Sequence, residues 1–271
     1  MTQFAYATES RITPTEKVLY DAGAKTKSST TKFAALGCLL FGVLLLAPAS
    51  GAQTRPAIVE QIAKTYGIDS WDKVQAIRYT WNGEITGLFK AAHHWEWEPK
   101  TGKVSYEGTD KDGKPVKATF VQSQLNSAPA DVKDVIAPSF VNDNYWVLFP
   151  FHAYWDTSAT VTETAAQKLP IGAGSADLVS VKYPAEVGGY TPGDTWDLYV
   201  GKDNRVVQFA YHRGGSKPPK LVLATWTGYK KAGPLLFSTE HRGTADGKPL
   251  HIFITDVAVK LTGSDTWITA K

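Results

Sequence analysis

Between Phe89 and Glu98 the chain alternates without interruption. Phe89, Ala91, His93, Trp95 and Trp97 fall on one side of an extended backbone, and Lys90, Ala92, His94, Glu96 and Glu98 on the other. A period of two is the spacing of a strand with one buried face. Ile77, Tyr79 and Trp81 alternate in the same way with Arg78, Thr80 and Asn82. The rhythm returns at 103–109 and 116–122, and again at about 159–165, 177–183, 195–200, 205–213, 219–228, 235–243 and 249–260. Short turns such as Pro99-Lys100-Thr101-Gly102, Asp112-Gly113, Lys202-Asp203-Asn204 and Asp246-Gly247 join these runs. Parallel neighbours need crossovers of a dozen residues or more, so loops this short force antiparallel pairing. The expectation is an α+β fold on a strongly curved antiparallel sheet of about ten strands.

Two segments break the strand rhythm. Val59, Ile62, Ala63 and Tyr66 recur at helical spacing behind Pro56, with Gly67 as the stop, and Ser70 to Val74 reads as one further turn. In 129–156, Ala130–Ile136 reads as a helix closed by Pro138. The stretch Phe140–Trp155 then carries Tyr145, Trp146, Phe149, Phe151, Tyr154 and Trp155. Pro150 is expected to prevent one unbroken helix there, and the segment is expected to act as a lid. Gly172-Ala173-Gly174-Ser175 lacks the Lys of a phosphate loop and reads as a flexible turn.

Ahead of all this, residues 33–47 form an uncharged apolar run preceded by Lys25, Lys27 and Lys32. Fifteen residues fall short of the roughly 20 that span a bilayer and match the core of an export signal. Residues 33–52 are therefore read as a signal peptide, with cleavage between Ala52 and Gln53. The alternative is an uncleaved inner-membrane anchor through the same residues. Residues 1–32 are polar and read as disordered, or as lying upstream of the true start. The expected working part is a single domain, 53–271, in the periplasm of a Gram-negative bacterium.

The lone cysteine, Cys38, lies inside the apolar run, so residues 53–271 hold no thiol. Five of the 29 Lys and Arg and three of the 26 Asp and Glu precede residue 53, leaving a net charge of +1. A phosphate backbone calls for a concentrated positive field, so no nucleic-acid partner is expected. No G-x-S-x-G elbow and no HExxH helix occurs. Six histidines, His93, His94, His152, His212, His241 and His251, raise a metal reading in which His212 and His241 sit on neighbouring strands. Zinc needs three or four converging ligands, which spacing on separate strands does not supply. No catalytic residue, metal or cofactor is assigned. An envelope hydrolase with a His/carboxylate or metal site stays open as an alternative, as does a cavity-free protein-interaction module.

All nine Trp follow residue 53. Trp81, Trp95, Trp97, Phe120, Tyr145, Trp146, Phe149, Phe151, Trp196, Phe209, Trp226 and Phe253 are more rings than the thin core of a curved sheet needs. They read as the wall and lid of an apolar cavity, or as a solid core.

Three stretches carry a family resemblance. An export segment leads into the helix Ile58–Tyr66 and the strand Ala76–Ile85. His94-Trp95-Glu96-Trp97-Glu98-Pro99 follows as an aromatic second strand ahead of Lys103–Thr109. Leu198-Tyr199-Val200-Gly201-Lys202-Asp203-Asn204-Arg205-Val206-Val207-Gln208-Phe209 forms a central hairpin with a charged turn. In this order the chain resembles the outer-membrane lipoprotein carrier (LolA-like) superfamily. The resemblance implies an unclosed β-barrel plugged by helices, whose interior takes acyl chains or other apolar groups, with 129–156 as the plug. It implies a non-enzymatic carrier or sensor of a lipid or acyl-chain ligand, with an envelope protein as a further partner. No functional residue of that family is transferred to a position here.

Overall fold

The computed structural model of the protein describes residues 55–186 and 192–271. The expected export segment, the Ala52–Gln53 cleavage site and Cys38 lie outside the described residues. The chain enters through helix α1 (Ala57–Tyr66), which buries Ile58, Val59, Ile62, Ala63 and Tyr66 along one stripe. Gly67 ends it at φ 103°, and a 3-10 turn over Ile68–Lys73 follows. A side chain at Gly67 would be strained and would run into the Pro234 carbonyl.

Fourteen strands follow: β1 (Val74–Ile85), β2 (Phe89–Glu98), β3 (Lys103–Thr109), β4 (Pro115–Val121), β5 (Thr160–Lys168), β6 (Ser175–Lys182), β7 (Thr195–Val200), β8 (Val206–His212), β9 (Leu221–Thr225), β10 (Lys230–Ala232), β11 (Leu235–Phe237), β12 (Glu240–Ala245), β13 (Lys248–Leu261) and β14 (Trp267–Thr269). Twelve share one sheet in the order β4-β3-β2-β1-β13-β12-β9-β8-β7-β6-β5, with β14 alongside β13. Its neighbours pair antiparallel, and it ends at β4 and β5 without closing. The expected single strand at 235–243 is two elements. Leu235, Leu236 and Phe237 are all buried, so the run has no solvent face and pairs with β10 in a separate hairpin, while Glu240 onward joins the sheet.

Helix α2 (Ala137–Trp155) lies against the inner face of this sheet. A π-type turn, Val132–Ile136, leads straight into it. Pro138 therefore does not close a helix. It stands in the first turn of α2, a position that proline's fixed φ suits. Pro150 does interrupt the run, as expected: two helical segments meet at a kink, with Leu148 at φ −118° and ψ 17°, and the Trp146 carbonyl is left without its usual helical donor. Arg55 caps the far end, donating to the carbonyls of Ala153, Tyr154 and Asp156.

Position along α2 shows how far the sheet curls. Five steps separate β2 from β8, about 24 Å in a flat sheet at ~4.8 Å per step. Asp143 nevertheless touches His93 on β2 at 2.6 Å, and Trp146, one turn later, packs on Tyr211 of β8 with ring centroids 5.4 Å apart. Only a sheet rolled around the helix brings both within that reach. The segment expected as a lid is thus a core helix held in the trough of the sheet, with Leu148, Phe149 and Phe151 fully enclosed. Among the described residues no helix is long and apolar enough to cross a membrane.

Candidate functional site

The packing between α2 and the sheet leaves a sizeable gap, a partly open cavity of about 510 Å³. Small-molecule sites occupy roughly 300–1,000 Å³. Its walls follow from strand alternation. Trp81, Gly83 and Ile85 of β1, Phe89 and His93 of β2, and Leu250 and Ile252 of β13 share the inner face, in register across three paired strands. Val222 and Tyr211 close the far side, and the first turns of α2 bring Pro138, Ser139, Asn142, Asp143 and Trp146. The Trp81 ring lies flat over Gly83, where any β-carbon would meet it. That glycine lets the ring lie against the wall instead of standing in the cavity.

Within this apolar surround, one polar group is fully enclosed. Asp143 has no exposed surface, and its carboxylate meets three nitrogen-bearing side chains. His93 Nδ1 is 2.6 Å from Oδ2, Trp95 Nε1 donates to Oδ2 at 2.8 Å, and Asn142 Nδ2 donates to Oδ1 at 2.8 Å. Burial pushes the Asp143 pKa up from the ordinary carboxylate value, and His93, Trp95 and Asn142 offset only part of that rise. The His93 ring stacks on Trp81 at 5.6 Å and 17°. With Nδ1 committed to Asp143, its Nε2 makes no hydrogen bond among the described residues, and His93 lines the cavity. Arg213 lines the same space, its Nη1 donating to the Pro218 carbonyl at 3.0 Å.

A second polar cluster lies at the other end of α2, away from the cavity lining. Tyr145 and Tyr183 each donate to Asp156 Oδ2 at 2.7 Å, and His152 stands 3.6 Å from the same oxygen. Burial raises the Asp156 pKa, but His152, Tyr183 and Tyr145 outweigh it and hold the carboxyl below its ordinary value. This cluster ties the end of α2 to the residue after β6.

Of the twelve rings expected to form a cavity, the structure brings two, Trp81 and Trp146, to this one. Trp95, Trp97 and Phe120 close around Phe140. Phe149 stacks on Trp196 at 4.1 Å, and Phe209 sits edge-on to Trp226. Phe151 stacks on Trp155, and Tyr145 stacks on His152. Phe253 faces the opposite side of the sheet beside His251, because it alternates with the inward Ile252 and Ile254. Most of these rings therefore make solid core.

His212 and His241 are not neighbours. Strand β9 lies between theirs, and His212 is exposed beside Asp197 whereas His241 is enclosed. Among the described residues no three His, Cys, Asp or Glu side chains stand close enough to hold a metal ion.

Sequence reasoning missed Asp143, Asn142 and Arg213 as members of one site. His93 carried a signal, since it is the one polar residue on the aromatic face of β2. Asn142-Asp143-Asn144 carried another, a polar triplet inside an aromatic helix.

No family model matches the chain, and no curated protein matches it. Several solved structures show some likeness. A DUF1329 family protein from Desulfovibrio piger overlays with a TM-score of 0.41 at 11% identity, over 78% of this chain and 96% of that one. The lipoprotein LppX of Mycobacterium tuberculosis overlays with a TM-score of 0.28 at 8% identity, over 75% of this chain and 96% of that one. Likeness at this level says nothing about chemistry, and the functional reading rests on the cavity.

Proposed function

We propose that the protein is a non-enzymatic binding protein, a carrier or sensor that holds the apolar part of a lipid or acyl-chain ligand between α2 and the inner face of its sheet. One observation carries this reading: the cavity of about 510 Å³ beside α2, walled by Trp81, Ile85, Trp146, Val222, Leu250 and Ile252. An apolar chain that buries ~300 Å² there gains on the order of 7 kcal/mol before ordering costs, enough to bind and still release. The apolar run 33–47 supports delivery to the cell envelope, where an envelope protein would be the client.

The reading is tested by native mass spectrometry of gently extracted protein and by titration with the neutral fluorophore N-phenyl-1-naphthylamine. A co-purifying lipid and saturable fluorophore uptake, lost in Leu250→Trp, are the expected results. A protein that carries no lipid and takes up no fluorophore is not a carrier of this kind.

A second reading, a hydrolase, is favoured by the His93–Asp143 pair, which has the form of a base held by its orienting carboxylate. The pair lacks a nucleophile at hand. Ser139 lines the same cavity, but its hydroxyl donates to the Val135 carbonyl at 2.8 Å.

A further inference from the structure

We infer that the turn between β1 and β2 docks the mouth of the cavity on a lipid bilayer, with Leu88 and Phe89 entering the membrane interface, so that the apolar ligand passes between bilayer and cavity without crossing water. The inference rests on the cavity reading above and adds the surface from which the cavity is filled.

The turn is built to project. Ile85 and Phe89 are the last pair of the hairpin, the Leu88 N–H donates to the Ile85 carbonyl at 2.9 Å, and the Thr86 N–H donates to the Pro249 carbonyl at 3.1 Å. Gly87, at φ 73°, turns the chain at the tip, and nothing stands within 4 Å of where its β-carbon would lie. On this tip Leu88 is 65% exposed and Phe89, its neighbour in the chain, is 44% exposed. Single exposed apolar residues are ordinary on a protein surface, but two large ones together on a projecting tip mark a contact.

The contact leads into the cavity. Ile85 and Phe89 line it, as do Leu250, paired with Ile85 on the neighbouring strand, and Pro219 of the turn between β8 and β9. The cavity thus reaches the rim of the sheet at the end that carries the tip. Phe89 spans the two. Its ring is partly in solvent and its centroid lies 6.2 Å from that of Trp81, which is enclosed on the cavity wall.

Area and charge favour a bilayer over a protein. A Leu and a Phe so exposed offer a few hundred Å² at most, against about 800 Å² per partner in a stable protein interface. A fluid bilayer needs no such area and no matching shape, and two side chains give the weak, reversible hold that a shuttle requires. The charged residues flanking the turn, Glu84 and Lys90, pair with each other across the hairpin 3.6 Å apart, so the tip offers apolar surface without net charge. The guest supplies the kinetic reason. Each methylene of an acyl chain that must enter water slows its escape about fourfold, and a mouth pressed on a bilayer removes that barrier.

The test uses the purified full chain loaded with an anthroyloxy-labelled stearic acid and mixed with phosphatidylcholine vesicles that contain a quenching lipid. Transfer by contact expects a rate that rises in proportion to vesicle concentration. Leu88 is not among the residues that line the cavity. Leu88→Ser should therefore lower that slope about tenfold and leave the equilibrium affinity for the labelled acid unchanged, whereas Leu88→Phe should keep the slope. Any attachment through the apolar run 33–47 is common to the native chain and both variants. A rate that ignores vesicle concentration, or a slope that Leu88→Ser leaves untouched, overturns the docking tip and leaves the cavity reading standing. A native chain that pairs with a second copy through the tip, and turns monomeric in Leu88→Ser, overturns it as well. A protein that takes up no labelled acid overturns the cavity reading, and this inference with it.

Discussion

His241 sits fully enclosed among Phe209 and Trp226, and burial pushes its pKa down from 6.5 to about 4, against the pull of the Thr225 and Trp146 main chains. Below pH 6.5 the unfolded chain takes up a proton that the native core refuses. The stability His241 contributes is therefore whole above that value and is lost as the pH falls toward 4. Between about pH 7 and 5 the loss amounts to roughly 2 kcal/mol. Urea unfolding at those two pH values should show a steeper decline for the native chain than for His241→Asn, and parallel declines would refute the assignment. Gly83 gives a second expectation. Gly83→Ala should lift the Trp81 ring into the cavity and weaken fluorophore binding roughly tenfold. The sheet itself should be no less stable, since alanine costs a strand less entropy than glycine. Of the residues that matter most, His93 was visible in the sequence as a polar intruder on an apolar face. Asp143 was not, because a polar triplet on a helix looks the same whether water or protein lies over it.

Strands were legible because a period of two survives any tertiary context, and the runs around 74–121 and 195–212 fall close to the observed elements. Prolines were legible in part, since Pro150 interrupts α2 as expected and Pro138 does not close a helix. A proline reports a missing N–H, but whether that ends a helix, starts one or bends it depends on what packs behind. At Pro138 the preceding chain continues as a π-type turn, and at Pro150 the inner face of the sheet holds both halves of α2 in place. The rings of α2 then divide into two roles that the sequence could not separate. Phe149 is fully enclosed against Trp196, so Phe149→Ala should lower unfolding free energy by about 3–5 kcal/mol in chemical denaturation. The folded fraction should still take up fluorophore. Trp146 lines the cavity, and its replacement by alanine should alter uptake directly. Equal stability of the native and Phe149→Ala chains would show that α2 is a loose cover after all.

The sequence said which side of each strand is apolar but not how far the sheet rolls. Roll decides whether a helix in the trough leaves room beside it. Here α2 fills most of the space and a gap persists beside its first turns, where Gly83 lets Trp81 lie flat. If that gap is the binding site, a guest stabilises the native state alone. A ligand at 100 times its dissociation constant adds about 2.7 kcal/mol. That should raise the melting temperature by roughly 5–10 °C in scanning calorimetry. A ligand that binds without moving the transition binds somewhere the unfolded chain also offers.

The pairing of β1 with β13 sets Val74 opposite Leu261, so the middle of the sheet joins the two ends of the folded chain. Two meanders, β1–β4 and β5–β12, can form from local hairpins as the polypeptide leaves the ribosome, but neither encloses anything. Leu250 and Ile252 arrive only with β13. The container comes into existence only once this strand has been made, and a chain cut short before Lys248 would have two halves of a bowl and no seam between them.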